Sequence, residues 1–196
     1  MPYRLSTFGF NDMMDCRARL RALYDDDTPS TLTGAAERAV EFFLRELVDE
    51  DGGPACALVR FFKTHPYADL PHELQDLVQN SVPDPAPDLR CLTLLATRGQ
   101  EPAWNATEHS RGHRAIPLVS EEMVRQAPMI APGSSFVVPY AIESVLGFGG
   151  LLATGDLFAV IMFSKVPIPP DVADQFRVVA LNLKVAILPF ARKPLV

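Results

Sequence analysis

The densest group of side chains able to do chemistry lies in a polar stretch without a regular hydrophobic pattern. This stretch runs from Gly99 to Arg114 and combines an aromatic ring with amide, imidazole, carboxylate and guanidinium groups. A pocket for a small molecule needs an apolar wall and a few convergent hydrogen-bond donors, and such a loop contains both. The candidates are Trp104, Asn105, Glu108, His109, Arg111, His113 and Arg114.

Within this stretch, the residue types indicate how a ligand could be held. Trp104 is the candidate wall of the pocket, and Arg111 or Arg114 is the candidate partner of an anionic group. Tyr140, further along the chain, is a further candidate ligand-binding residue. A long polar loop is also typical of a solvated connection that binds nothing, so both interpretations stay open. No particular ligand or cofactor follows from these residues.

Two histidines raise the question of a metal or haem site. His109 and His113 are four residues apart and would share one face of a helix, but Gly112 lies between them and no third ligand is nearby. We therefore predict no metal site. An enzyme would need a nucleophile and a base, and the available constellation is His109 or His113 with Glu108 or Cys91. Because Cys91 lies in an apolar strand pattern, we predict no catalytic site.

Composition and charge limit the classes of partner. The chain has 196 residues, of which 48% are hydrophobic, and a net charge of −6, which suits one domain with a buried core. Nucleic acid is not an expected partner, because phosphate binding needs clustered Lys and Arg. No stretch approaches the roughly 18 apolar residues of a membrane-spanning helix and no signal-peptide pattern is present, so we expect a cytoplasmic protein without membrane contact.

Hydrophobic periodicity divides the chain into helices and short strands. Two apolar runs, 145–152 and 157–163, flank turn residues and predict a β-hairpin, and the pattern after Pro170 predicts a long closing helix. The other predicted elements are helices over 12–24, 31–48, 70–78 and 120–126 and strands over 55–62, 89–96, 116–118 and 136–141. This order predicts an α+β fold: a central antiparallel sheet with the N- and C-terminal helices on one face and loops and short helices on the other.

Several segments resemble parts of a GAF domain. Those similar to its second half are FVVPYA (136–141), SVLGFGGLL (144–152), LFAVIMFS (157–164) and PDVADQFRVVALN (170–182). Others are similar to GAF-like sensory regions found at the N-terminus of bacterial two-component sensor kinases and related signalling proteins. They are THPY (64–67), LTLLAT (92–97) and EPAWN (101–105).

The resemblance implies both an organisation and a role. It implies a GAF-like domain over 31–190, preceded by an N-terminal helical extension over 1–30 and followed by a C-terminal tail over 191–196. It also implies a sensory module whose ligand pocket lies between the sheet and the loops opposite the terminal helices. In this chain those loops would be 64–79 and 98–130.

The closing helix carries more apolar surface than one sheet face requires. The residues outside the stripe that would face the sheet are Val178, Leu181, Val185 and Leu188. We expect them to contact helix 31–48 or a second subunit. A homodimer of such helices would carry a ligand-driven shift to an output module such as a kinase. The alternative is a non-catalytic assembly module in which the helical interface is the whole function and no ligand binds.

Overall fold

In the described part of the chain, helices flank a single main sheet. The computed structural model describes residues 1–26, 28–108, 114–118 and 136–193. The α-helices are α1 (Phe10–Arg21), α2 (Leu32–Glu46), α3 (His72–Gln79) and α4 (Pro170–Ile187). The strands are β1 (Tyr3–Arg4), β2 (Leu47–Val48), β3 (Cys56–Pro66), β4 (Arg90–Gly99), β5 (Ala115–Pro117), β6 (Ser144–Leu151) and β7 (Leu157–Ser164).

The main sheet has the strand order β5-β4-β3-β7-β6, and every neighbouring pair is antiparallel. β3 lies at its centre and is buried along almost its whole length, because it has a strand on either side and side chains packed on both faces. The continuous apolar run that begins β3 is typical of such a position. β1 and β2 form a separate two-stranded parallel sheet.

One face of the main sheet is covered by helices. α2 lies over β3 and β4, α4 lies along β6, and α1 packs against α4. The first turn of α2 is capped by Thr31, whose Oγ1 accepts a hydrogen bond from the backbone N of Gly34 at 3.0 Å. The core between the helices and the sheet is rich in fully buried aromatic rings, namely Phe8, Phe43, Phe61, Phe158, Phe176 and Phe190.

Most predicted elements are present at shifted boundaries. The α+β class, with one antiparallel sheet and flanking helices, is confirmed. The predicted hairpin is β6 and β7, the closing helix is α4, and β5 is the expected edge strand. Helix 31–48 ends at Glu46, because Leu47 and Val48 leave the helix and pair with β1. The predicted helix 120–126 lies outside the described residues.

The predicted strand over 136–141 is wrong, since these residues form turns. Ala141 has a φ of 51°, far from an extended conformation, and Pro139 has no N–H to donate to a neighbouring strand. The backbone N of Tyr140 instead donates to the carbonyl oxygen of Phe136 at 3.3 Å. The two aromatic rings, four residues apart, consequently lie on the same side of the turn, with centroids 5.6 Å apart.

β6 and β7 approach each other closely at one glycine. A Cβ atom on Gly149 would overlap the carbonyl oxygen of Phe158 and lie 2.9 Å from the Cα of Ala159. A Cβ atom on Gly147, two residues earlier in the same strand, would meet open space. The pairing of the hairpin therefore depends on the absence of a side chain at Gly149, whereas Gly147 could carry one.

We predict that Gly149→Ala lowers the free energy of unfolding by about 1–3 kcal/mol, because the two strands must separate to admit the methyl group. Gly147→Ala is the matched control on the same strand and should leave stability within about 0.5 kcal/mol. Urea denaturation followed by circular dichroism measures both values. Equal effects of the two substitutions would show that the close approach at Gly149 does not constrain the hairpin.

Candidate functional site

The face of the main sheet opposite α2 and α4 carries a second apolar cluster, and we call it the capped face. The strand side chains in this cluster are Leu58, Phe62, Leu92, Leu94, Ile116, Ile161 and Phe163. The side chains that pack against them from outside the sheet are Trp104, Leu118, Phe136 and Ile142. The capped face is thus a hydrophobic surface covered by short irregular segments, of which a 3₁₀ turn over Pro102–Asn105 is one.

Trp104 is the centre of an aromatic group over this surface. Its ring centroid lies 4.4 Å from that of Tyr140 and 5.3 Å from that of Phe136, and Phe136 in turn lies 5.2 Å from Phe163 of β7. Gly99 allows this arrangement, since a Cβ there would lie only 2.7 Å from the Trp104 ring. The rings are partly exposed and tilted against one another, and together they present an apolar wall of the kind that ligand pockets use.

The other predicted ligand-binding residues are placed differently. Asn105 has a structural role, because its Oδ1 accepts a hydrogen bond from the backbone N of Gly99 at 2.9 Å. Arg114 forms an ion pair with Glu73 of α3. The structure therefore brings Trp104 and Tyr140 together, and it ties Asn105 and Arg114 to neighbouring segments of the chain. The remaining candidates lie outside the described residues; they are His109, Arg111 and His113.

An arginine from the central strand points toward the capped face. Arg60 of β3 is in register with Thr97 of β4 and Ile161 of β7, and residues opposite each other in neighbouring strands share a face. Ile161 belongs to the apolar cluster of the capped face. Burial lowers the pKa of the Arg60 guanidinium, but an arginine keeps its charge at any physiological pH. The guanidinium of Arg60 thus lies on the same sheet face as this apolar cluster.

Thr97 adds a neutral polar group beside Arg60. Its side chain is 1% exposed, and its Oγ1 has no hydrogen-bond partner within the described ranges. A buried hydroxyl without a partner costs about 1–3 kcal/mol, so a group that could bond to it would be bound favourably. Arg60 and Thr97 were not predicted as site residues because both lie in apolar strand runs. Arg60 is nevertheless a charged residue inside the apolar run from Ala55 to Phe62, and such a residue could have been taken as a sign of a polar site.

The alternative of a cysteine nucleophile finds no support at Cys91. This thiol is buried in β4, and it packs with Leu74 and Val78 of α3. Burial raises the pKa of Cys91 to about 11, whereas a nucleophilic thiol needs a lowered pKa. As far as the structure describes the chain, no three His, Cys, Asp or Glu side chains are placed to hold a metal ion.

A second polar cluster lies on β3, three residues beyond Arg60. Asp156, at the start of β7, accepts hydrogen bonds from Lys63 Nζ at 2.8 Å and from Thr154 Oγ1 at 2.7 Å, and it also forms an ion pair with Arg90. Burial acts to raise the pKa of Asp156, but these hydrogen bonds and the charges of Lys63 and Arg90 outweigh burial and lower it. The carboxylate therefore stays ionised.

His65 belongs to the same cluster and is held neutral. The residue is 8% exposed, and its Nδ1 has no hydrogen-bond partner among the residues described. Burial and the nearby charge of Lys63 lower the pKa of His65 to about 4. At neutral pH the imidazole is consequently uncharged and retains an unused polar atom.

Comparison with protein-family models finds no family that matches the chain, and comparison with curated proteins finds no similar one. Over the described residues, no helix has the length and apolar character needed to cross a membrane. The features of the molecule that bear on function are therefore the polar groups around Arg60 and around Asp156, the aromatic group around Trp104 and the exposed surface of the helices.

The depressed pKa of His65 predicts a pH-dependent stability. The unfolded chain takes up a proton below about pH 6.5, while the folded chain resists it until about pH 4, so stability rises with pH between these values and is constant above them. We expect this histidine to account for a loss of about 3 kcal/mol on acidification across that window. Urea denaturation at several pH values measures the loss.

His65→Gln removes the titrating group and should flatten the profile between pH 4 and 6.5, whereas the exposed His72 is the matched control. His72→Gln should retain the slope of the wild-type protein. Parallel profiles for wild type and His65→Gln would mean that His65 is not held neutral by its surroundings.

Proposed function

We propose that this chain is a GAF-like sensory domain that binds a small anionic ligand on the capped face of its sheet. The observation that carries the proposal is the polar pair of Arg60 and Thr97 on the same sheet face as the apolar cluster against which Trp104 packs. An apolar wall with a few convergent polar groups is the usual composition of a small-molecule site. A cytoplasmic location suits such a sensor.

The architecture supports the GAF-like assignment. Three of the segments that resemble a GAF domain fall on β6, β7 and α4, and these elements form the expected hairpin and closing helix, whereas the segment over 136–141 forms turns in place of the expected strand. The helices also lie on the face opposite the Trp104 cap, as a sensory domain of this kind requires. A likeness of scaffold supports no particular ligand, so the ligand class is argued from the site alone.

Charge and shape define the ligand class. The guanidinium of Arg60 favours a carboxylate, sulfonate or phosphate group, which it can bind through two parallel hydrogen bonds. The hydroxyl of Thr97 can donate to or accept from the same group. The partly exposed rings of Trp104 and Tyr140, which meet edge to face, favour an apolar aromatic body. We infer a planar, aromatic or conjugated anion.

The helices supply the second part of the proposed function, a homodimer that responds to the ligand. An exposed apolar stripe runs along the end of α4 and into the 3₁₀ turn that follows it, and its residues are Leu181 (59% exposed), Val185 (48%) and Leu188 (42%). Val178, which the sequence grouped with them, instead packs against the core. Exposed apolar stripes of this kind mark protein–protein contacts. We infer that the stripe pairs two copies of the chain and passes the response to an output module such as a kinase.

An assembly module without a ligand is the second candidate function. The exposed stripe of α4 favours it, because a helical interface needs no pocket. The two candidates differ at the capped face: a pure assembly module would not need a charged residue at Arg60. Ligand binding that depends on Arg60 therefore separates them.

Trp104 is the single tryptophan of the chain, so its fluorescence reports directly on the capped face. We predict that the anionic aromatic probe 8-anilinonaphthalene-1-sulfonate quenches Trp104 in a saturable manner. Arg60→Gln should weaken the probe's affinity at least tenfold, or about 1.4 kcal/mol, because the sulfonate loses its charged partner. Fluorescence titration measures the affinity.

Arg177→Gln is the matched control, since Arg177 is 85% exposed on α4 and is paired with Asp174. It should bind the probe as the wild-type protein does. Quenching that is absent in the wild type, or that is equally strong in Arg60→Gln, would contradict the assignment of the ligand site.

The dimer is tested separately by sedimentation velocity. We predict that the wild-type protein sediments as a dimer and that Val185→Glu weakens the dimer at least tenfold, because a carboxylate would be buried in an apolar interface. Val138→Glu is the control, as Val138 is 74% exposed but lies in the turn over the capped face. A wild-type protein that remains monomeric at high concentration would refute the proposed interface.

A further inference from the structure

A cleft of about 440 Å³ opens where β3 ends, and the ion pair of Lys63 and Asp156 forms part of its lining. Its polar lining comes from three parts of the chain: the end of β3, the turn between β6 and β7, and the residues that follow α4. Its polar lining side chains include Lys63, His65, Thr154, Asp156, Arg192 and Lys193. The cleft is separate from the capped face, because Lys63 and Arg60 alternate in direction along β3.

Positive charge exceeds negative charge around this cleft. Asp156 is shared between the buried Lys63 and the partly exposed Arg90, so these three side chains together carry one uncompensated positive charge. Arg192 and Lys193 add two positive charges to the lining, and Asp69 removes one. Low-dielectric walls strengthen the attraction of such a concavity for anions.

Lys193 is held in position by its own contacts. Its Nζ donates a hydrogen bond to the carbonyl oxygen of Pro29 at 2.9 Å and lies 4.8 Å from the centroid of the Phe190 ring. A lysine fixed in this way loses less side-chain entropy when it binds an anion. The ammonium group of Lys193 is therefore in position at the mouth of the cleft before an anion binds.

His65 adds to the lining of the cleft a buried polar atom that has no hydrogen-bond partner among the described residues. The unused Nδ1 of His65 is an acceptor in one tautomer of the neutral ring and a donor in the other. A phosphate group near neutral pH carries both charged oxygens and a hydroxyl, so it can bond to either tautomer. A carboxylate or a chloride ion offers acceptors only and can therefore bond only to the tautomer that carries its proton on Nδ1.

We propose that this cleft binds a phosphate group between Lys63 at its base and Arg192 and Lys193 at its mouth. Because Arg192 and Lys193 directly follow the turn that ends α4, the bound phosphate would fasten the end of that helix to the sheet. The inference concerns a second site and does not rest on the ligand proposed for the capped face.

Isothermal titration calorimetry with inorganic phosphate, at constant ionic strength set by sodium chloride, tests the proposal. We expect saturable binding and a rise in the melting temperature with phosphate, because a ligand that binds only the folded state stabilises it. The double variant Arg192→Ala, Lys193→Ala removes both cations at the mouth without touching the buried pair of Lys63 and Asp156. It should bind phosphate at least tenfold more weakly.

Arg177→Ala removes an exposed cation elsewhere on α4 and serves as the control for a general loss of charge. It should bind phosphate as the wild-type protein does. The proposal is overturned if phosphate gives no saturable heat beyond that of chloride, or if the double variant binds with unchanged affinity. Since calorimetry measures affinity directly, a change in the stability of the double variant would not be mistaken for loss of the site.

Discussion

The burial of β3 on both faces is the constraint on which the rest of the structure depends. The side chains of a central strand alternate between the two faces of the sheet, so they must pack into the layer that covers each face. Val59 and Phe61 enter the core beneath the helices, whereas Leu58 and Phe62 enter the cluster of the capped face. Arg60 lies between Val59 and Phe61 in sequence, so the same alternation directs its side chain to the capped face. The register of one strand thus determines which charge the proposed ligand site contains.

Sequence reasoning recovered the elements whose patterns are long and unambiguous, such as the β6–β7 hairpin and α4. It failed over 136–141, because alternating apolar residues resemble a strand while Pro139 and the positive φ of Ala141 enforce a turn. Only part of the candidate site was predicted from the sequence. Trp104 was identifiable as an aromatic residue in a polar loop, but the contribution of Arg60 depends on sheet register, which a single sequence does not specify.

The two faces of the sheet are joined by the same strand, and this offers a physical route between a ligand and the helices. A ligand drawn to Arg60 would act on β3, and β3 packs directly beneath α2 on its other face. α4 closes the same core, with Phe176 in contact with Phe148 of β6 at a centroid distance of 5.2 Å. Closely packed interiors transmit small displacements, so a shift of the sheet can reach the exposed stripe of α4.

Native mass spectrometry of the protein taken directly from cells tests the central claim most directly, because it weighs the assembly together with any molecule that the assembly holds. We predict a dimer that carries a non-covalent anionic ligand for the wild-type chain, and a dimer of bare protein for Arg60→Gln. A wild-type protein that carries no ligand, or a ligand that remains bound in Arg60→Gln, would contradict the claim that the capped face of the sheet is a binding site.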